Sequence, residues 1–580
     1  MTITDILAAS QIALPGFLWS LALFASMHGI GWAGQKCLRT QLPTWSNPIT
    51  GAGLFILLTG WLDYLQLAKL PVLTLIALAG IAACIPQLLS LQKTGFTWGW
   101  KETIITGAAA LLALLASYAP ENLPIWDDSV GYYPTCNELM VSGTSWAPMS
   151  LRRALTFGGQ FPLQALGMLF TQDRGGWIYE AGLGTWIMLG IALDAIKNKK
   201  GVILIPLAIG LLLLLQTNTN SAPNHLVGLL LFAAWAARKN PILLAILSTA
   251  TLALRTQTLP FIGILIAYEL LQQSQAIGIK PALKNACIMA GIGLLCLIPY
   301  LLNSIHQFGT PCPLFAHGTI DPAYINMTAG WKTSLFSLTK MFGTQIAPVA
   351  FLLFALKNKE TRGIATAALA TIAAITLSTN DLGIDYWTKY SWPYLIAGIL
   401  PTLTGWAKDN QPTLAIFGIC ACLAWPLGRL ESNLERALTE IVCIDLKKGE
   451  NYQAQDAIPE GATVAVISRM QTSNFDFRRN KIVNLDVFPA VGNLPQKPDP
   501  TLWKEWAEKN NIQFLLHPDF TGTLQGQNIG NLFLDNPNMR EPHYQKVWVP
   551  KRKNLLETLT ALDSILPHKK TGDFYILDLQ

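Results

Sequence analysis

From Met1 to about Arg429 the chain alternates long apolar blocks with short polar ones, and from Leu430 to Gln580 the pattern becomes that of a folded water-soluble domain. Apolar stretches of about 17–25 residues cross a bilayer core of about 30 Å as helices. Such stretches fall at 10–33, 50–67, 70–91, 102–118, 177–195, 202–216, 225–237, 241–256, 258–273, 285–302, 336–356, 363–378, 389–406 and 412–428. They predict about fourteen membrane-spanning helices. The blocks at 225–237 and 241–256 are short for a full crossing, so a tilted or re-entrant pair is an alternative there. Met1–Ser10 lacks the basic n-region of a cleaved signal, so the first block is expected to be structural.

Composition sharpens this reading. The 580 residues are 51% hydrophobic and 13% charged, whereas a soluble domain carries about 25% charged residues. A soluble enzyme is excluded for residues 1–429, and 430–580 is expected to be a separate domain. The net charge of +6 is concentrated in alternate connections. These hold Lys36 and Arg39; Lys93 and Lys101; Lys197, Lys199 and Lys200; Arg238 and Lys239; Lys280 and Lys284; Lys357, Lys359 and Arg362; and Lys408. Basic connections face the cytoplasm, which places 119–176, 217–224, 303–335, 379–388, the N-terminus and the C-terminal domain on the other side. The nine cysteines are scattered, with Cys84, Cys287, Cys296, Cys420 and Cys422 in spans, and no CxxC or Cys/His metal spacing occurs. Cys136, Cys312 and Cys443 fall outside and could include a disulfide, although buried thiols are the preferred reading.

Charge beside a span is costly and usually functional. The long outer loop, 119–176, carries Trp126-Asp127-Asp128-Ser129-Val130-Gly131-Tyr132-Tyr133-Pro134, then Glu138, Arg152 and Arg153. The two aspartates either cap a helix at the membrane surface or belong to a site. Adjacent helical residues diverge by about 100°, so one of them at most faces a given cavity. Thr217–His225, Arg255-Thr256-Gln257, Pro299–Phe315 and Tyr386–Pro393 add amides, histidines and cations to the same side. Each alone fits an interfacial belt or a snorkelling cation; together they make the inventory of a site.

At these residues the sequence resembles the GT-C superfamily of membrane glycosyltransferases, in particular the bacterial branch of protein mannosyltransferases and aminoarabinose transferases. A family motif Trp-Asp-x-Leu-x-Tyr-His-x-Pro aligns without gaps on Trp126–Pro134, with Asp127 at the acidic position and Pro134 at the proline. Gly131 and Tyr132 replace the family's Tyr-His, and Asp128 is an additional acid. Pro299–Phe315 is similar to a Pro-Trp-x-x-Arg-Asn…Gly-Asn-Pro-x-x-Pro segment, with Asn303, Gly309 and Pro311 in place. Arg255 with Pro260 resembles a Lys-x-Ser-x-x-Pro segment, and Lys389-Tyr390 with Pro393 an Arg-Tyr-x-x-Pro segment. Asn224 stands where relatives often carry an aspartate.

The resemblance implies a polytopic all-α GT-C-like membrane domain over 1–429, an extracytoplasmic α/β domain over 430–580, and residence in a bacterial inner membrane. It implies sugar transfer from a polyprenyl-phosphate donor to a glycan, lipid or protein acceptor on the outer side; no nucleic acid is expected. An acceptor hydroxyl needs a general base, for which Asp127 is the first choice and Asp128 the second. The leaving phosphate needs positive charge: Arg152, Arg153, Arg255 and Lys389 are the candidates. An alternative is a divalent cation (Mg or Mn) on Asp127 or Asp128 with Glu138. Trp126, Tyr132, Tyr133, Glu138, Asn224, His225, Asn303, His306 and Tyr390 are expected to contact substrate. One base without a nucleophilic partner favours a single inverting displacement. A lipid-linked sugar transporter and a non-catalytic scaffold presenting the C-terminal domain are the alternatives. No internal inverted repeat of the transporter kind is visible.

In the C-terminal part, Thr463–Ser468, Lys481–Asp486, Ile512–Leu516 and Phe574–Leu577 read as strands. Asp499–Asn510, opening on an Asp-Pro pair, and Asn554–Ile565 read as helices. The alternation suggests a small Rossmann-like layer without a nucleotide motif. Acceptor recognition and a structural lid are both open as its role.

Overall fold

The computed structural model describes residues 3–93, 99–117, 132–146, 156–169, 178–197, 199–215, 223–308, 310–311, 346–378, 384–423, 454–466, 475–485, 495, 497–518, 549–572 and 574–580. Each expected apolar stretch carries a helix in whole or in part. The helices are α1 (Ile3–Cys37), α2 (Asn47–Tyr64), α3 (Leu70–Lys93), α4 (Trp100–Ser117), α5 (Tyr133–Ser142), α6 (Phe161–Gly167), α7 (Leu183–Ile196), α8 (Leu204–Leu213), α9 (Asn224–Ala236) and α10 (Pro241–Leu254). They continue with α11 (Leu259–Ile277), α12 (Ile279–Phe308), α13 (Ile346–Ala355), α14 (Arg362–Ser378), α15 (Ile384–Lys408) and α16 (Pro412–Cys422).

Among the described residues, three helices are long and apolar enough to cross a membrane: Leu14–Cys37, Leu70–Gln87 and Ile279–His306. Only 22% of the second stretch and 17% of the third is buried. Leu75, Leu78, Ile85 and Leu89 on α3, and Leu283, Leu294 and Leu295 on α12, are exposed. Water does not tolerate an apolar surface of that extent; hydrocarbon does. Six other apolar helices, including α8, α9 and α10, run 10–17 residues. At 1.5 Å per residue these are shorter than a bilayer core of about 30 Å, so length alone supports fewer crossings than the expected fourteen or so.

Helix crossings use small residues, as membrane packing does. A Cβ on Gly29 would lie 1.9 Å from the Gly80 carbonyl oxygen, and one on Gly51 would lie 1.8 Å from the Met27 carbonyl oxygen. Glycine is therefore what lets α1 touch α3 and α2 backbone to backbone.

Several connections far apart in sequence meet at the ends of the bundle. At one end Lys101 Nζ donates to the Lys199 carbonyl (3.4 Å), Lys199 Nζ donates to the Lys408 carbonyl (2.5 Å), and Lys408 pairs with Asp194 (2.8 Å). Arg238 pairs there with Glu269 (3.8 Å) and Glu360 (3.9 Å). At the other end the Ala68 N–H donates to the Gly143 carbonyl (2.9 Å) and the Gly159 N–H to the Ala253 carbonyl (3.1 Å). Lys101, Lys199 and Lys408 thus bring three of the basic connections together.

The C-terminal part forms a five-stranded sheet of β1 (Thr463–Val466), β2 (Lys481–Asn484), β3 (Phe514–Pro518), β4 (His568–Thr571) and β5 (Phe574–Asp578), in the order β2-β1-β3-β5-β4. β1 is parallel to β2 and β3, whereas β5 is antiparallel to β3 and β4. The Rossmann-like expectation is corrected to a mixed sheet, parallel over β2-β1-β3 alone. Helix α17 (Pro500–Lys509) is capped by Asp499, which accepts from the Thr501 N–H (2.9 Å). It packs with α18 (Val549–Asp563) on one face, where Trp503, Trp506, Leu559 and Leu562 meet Ala465, Leu515 and Leu577. Phe475, Phe477 and Ile458 cover the other face. β4 was not legible because His568-Lys569-Lys570-Thr571 is an exposed polar edge, where charge guards against further pairing.

Candidate functional site

The non-basic end of the bundle holds buried polar groups in two neighbourhoods. The first is built on Glu180. Residues Ile178–Gly182 form one π-helical turn ahead of α7, and such turns widen the helix and concentrate at functional sites. Glu180 is 2% exposed and accepts from the backbone N–H of His225 and that of Leu226 (3.0 Å). Its Oε1 also lies 3.3 Å from His225 Nδ1. The first turn of α9 has no side-chain acceptor of its own, because Pro223 is its N-cap. Glu180 therefore supplies from another helix the cap that orphan N–H groups and the helix dipole require.

Around this carboxylate stand Asn224 and His225, both fully buried. Arg255, 7% exposed at the end of α10, acts on Glu180 through its charge and lies over the Tyr390 ring at 5.5 Å. Among the described residues no carboxylate lies within ion-pair distance of Arg255. Among the described residues, the side-chain amides of Asn224, Gln160 and Gln164 and the indole N–H of Trp392 are buried without hydrogen-bond partners. Gln160 precedes α6, and its neighbour Gly159 is bonded to Ala253, so these groups share the end of α10. Each buried polar atom left unpaired costs about 1–3 kcal/mol, which a polar ligand or ordered water would relieve. The arrangement suits a ligand with hydrogen-bonding groups and a negative charge.

The second neighbourhood is built on Asp63 at the end of α2. Asp63, 4% exposed, accepts from Thr144 Oγ1 (3.0 Å), the Ser145 N–H (2.7 Å) and Ser145 Oγ (2.5 Å). These bonds fix the chain after α5, which ends at Gly143 with φ of 83°. A Cβ there would lie 2.3 Å from the Gln66 carbonyl oxygen. Trp146 is thereby placed to donate from Nε1 to Asn303 Oδ1 (2.7 Å) and to cover His306, ring centroids 3.8 Å apart. Tyr64 meets Trp146 edge-on at 6.3 Å. Phe157 lies 6.2 Å from Tyr300, one turn before Asn303, and so links the two neighbourhoods through residues 157–159.

The structure brings Asn224, His225, Arg255 and Tyr390 together, and separately Asn303 with the exposed His306. Tyr132 is half-buried at the start of α5 and Tyr133 is fully buried within it. Glu138, on the same helix, is 8% exposed. Burial pushes its carboxyl above the usual 4.5, and the charge of Lys481 on β2 and the Ser142 hydroxyl partly offset this. Trp126, Asp127, Asp128, Arg152 and Arg153, and with them Cys312 and Cys443, lie outside the described residues, as does the side chain of Lys389. Cys136 is buried with its thiol 3.6 Å from the Phe161 carbonyl.

Sequence reasoning missed Glu180 and Asp63. The signal was available, since Asp63 is the one acid within the expected span 50–67, and Glu180 shares the expected span 177–195 with Asp194 alone, fourteen residues on at its far end. Among the described residues no three histidine, cysteine or acidic side chains are grouped to hold a metal ion. Of the residues expected to hold a divalent cation, Glu138 is described, and Asp127 and Asp128 lie outside the described residues.

No family model and no curated protein matches the chain. Among solved structures it is similar to the Archaeoglobus fulgidus oligosaccharyltransferase in its complex with zinc and sulfate. The identity is 11%, the match covers 73% of this chain and 69% of that one, and the TM-score is 0.36. A likeness at that level carries no argument about this chain.

Proposed function

We propose that the chain is an integral membrane glycosyltransferase of the GT-C type. In this reading it moves a sugar from a polyprenyl-phosphate donor to an acceptor on the extracytoplasmic side of a bacterial inner membrane. The supporting observation is the buried Arg255, without a carboxylate in ion-pair range among the described residues, set among unpartnered amides at the end of lipid-facing helices. A lipid-anchored anion is the ligand such a place suits: its chain remains in the hydrocarbon while its phosphate meets a desolvated cation.

Asp127 acts as general base on the acceptor hydroxyl, with Asp128 beside it. The acceptor oxygen bonds to the anomeric carbon as the bond from that carbon to the phosphate oxygen breaks, and the configuration inverts. The phosphate leaves with the electron pair, stabilised by Arg255 with Arg152, Arg153 and Lys389. Tyr390, Asn224 and His225 shape the donor's place, and Asn303, His306 and Trp146 the acceptor's. The C-terminal domain, on the same side in this reading, either recognises acceptor or covers the site.

The test is sugar transfer by the purified chain from a panel of short-chain polyprenyl-phosphate sugars. Transfer from at least one donor is expected; none from any donor, with the protein folded, overturns the reading.

A further inference from the structure

Four rings form a row at the C-terminal ends of α2 and α12, beside the clamp built on Asp63. Trp61 meets Tyr64 edge-on, with ring centroids 6.5 Å apart and planes at 83°. Tyr64 meets Trp146 at 6.3 Å and 62°, and Trp146 lies against His306 at 3.8 Å and 35°. Trp61, Tyr64 and Trp146 are half-buried and His306 is exposed, so the row keeps an open surface. Leu65, Leu67 and Ile305 beside it are exposed as well, which suits the level where hydrocarbon gives way to water.

Aromatic side chains at that level commonly form a belt whose polar tips reach the headgroups. Trp146 does the reverse: its Nε1 donates inward to Oδ1 of the buried Asn303 (2.7 Å). The two residues before it are pinned by Asp63 through Thr144 Oγ1, the Ser145 N–H and Ser145 Oγ. A belt residue needs no such anchorage. A binding platform does, because a ring already fixed loses little freedom when a ligand packs on it. The carboxylate of Asp63 is taken up by its three donors. Among the described residues no cation lies over the Tyr64 or Trp146 ring, and no ion pair involves His306. The row is therefore an uncharged surface, unlike a site for a phosphate, which takes charge-assisted bonds.

A pyranose ring has the complementary chemistry. Its axial C–H bonds make an apolar, weakly positive face that suits the negative face of an aromatic ring. The hydroxyls around its rim both donate and accept, as a neutral imidazole does. We infer that this row binds a saccharide ring, its C–H face on the aromatic side chains and a hydroxyl at His306, and that the acceptor of transfer is a glycan. The role as acceptor rests on the transferase reading; the saccharide contact does not.

The experiment uses the full chain in nanodiscs, where no glycoside detergent competes. The probes are cellobiose, mannobiose and diacetylchitobiose, with sorbitol as a control that carries hydroxyls without a ring face. Saturation-transfer difference NMR reads the contact. At least one disaccharide is expected to bind, with the strongest signals on its axial ring protons, and sorbitol is not. His306→Ala is expected to weaken binding at least about fivefold and Trp146→Ala about tenfold, whereas Trp146→Phe, which keeps a ring, loses about twofold. No disaccharide bound, equal signals from sorbitol, or unchanged affinity in both alanine variants overturns the platform and leaves the row as an interfacial belt. Transfer from a polyprenyl-phosphate sugar is then offered the bound disaccharide, a serine- and threonine-containing peptide and diacylglycerol side by side. Transfer to the disaccharide supports the glycan acceptor. Binding without transfer to any of the three overturns the transferase reading and leaves the platform standing. Transfer to the peptide or the diacylglycerol alone overturns the glycan acceptor and leaves the transferase reading standing.

Discussion

Replacing Glu180 with alanine removes the acceptor for two backbone N–H groups at the start of α9, those of His225 and Leu226. Both lie in a buried setting where water cannot replace the carboxylate. Each orphaned donor costs about 1–3 kcal/mol, and the lost charge at the helix N-terminus about 0.3–2 kcal/mol more. Relief from holding a carboxylate away from water acts in the opposite direction, by several kcal/mol in general. The expected net loss is about 2–4 kcal/mol, near the usual cost of removing one partner from a buried charged pair. Glu180→Gln keeps an acceptor and discards the charge, so about half that loss is expected. Unfolding in mixed micelles of rising SDS content measures the difference. Hydrogen exchange at Leu226–Leu229 locates it, since fraying is expected there first. A glutamine variant more stable than wild type would mean that desolvation outweighs the cap. An alanine variant within about 0.5 kcal/mol of wild type, a surface-substitution effect, would refute the capping role outright.

Asp63→Asn turns one acceptor among three donors into a donor, so a loss of about 1–3 kcal/mol is expected, with faster proteolysis after Gly143 as the readout. Unchanged cleavage would show that Asp63 does not fix that segment. Glu138 has a folded pKa raised above its unfolded value, so the folded state holds the proton more tightly and stability falls as pH rises from the unfolded value through the folded one. Glu138→Gln is therefore expected to be more stable than wild type at pH 7, with the gain vanishing below about pH 4; a pH-independent difference contradicts this. Arg255→Gln is expected to raise the donor KM about tenfold or more, from the loss of one charge-assisted contact of about 1.5–3 kcal/mol, with Arg255→Lys intermediate. Equal KM values would remove Arg255 from the donor site.

The apolar periodicity located the helices of the bundle other than α5 and α6, which fall within the expected outer loop 119–176, because in hydrocarbon a helix must satisfy its own backbone and its sequence is apolar all round. The alternation of basic connections was equally legible. Lys101, Lys199 and Lys408, far apart in sequence, meet through hydrogen bonds. The site was legible as a set of residues and not as an arrangement. Asn224, His225, Arg255 and Tyr390 were each identified from the polarity of a connection. Glu180, which accepts from the His225 and Leu226 N–H groups, sits inside an apolar block, where its partner is a helix terminus forty-five residues away. Asp63 was hidden in the same way. No local pattern announces a cap supplied from another helix. In the C-terminal part the buried strands were visible from β-branched runs, whereas β4 carries its information in its partner β5 and not in its own residues.

The central claim concerns transfer of a lipid-linked sugar with Asp127 as base. The most direct measurement compares wild type, Asp127→Asn and Asp128→Asn for sugar release from an accepted polyprenyl-phosphate donor, in nanodiscs at matched folded protein. The account expects Asp127→Asn to lose transfer by about 100-fold or more, as removal of a general base does, while Asp128→Asn keeps most of it and all three bind donor alike. Full transfer by Asp127→Asn would contradict it.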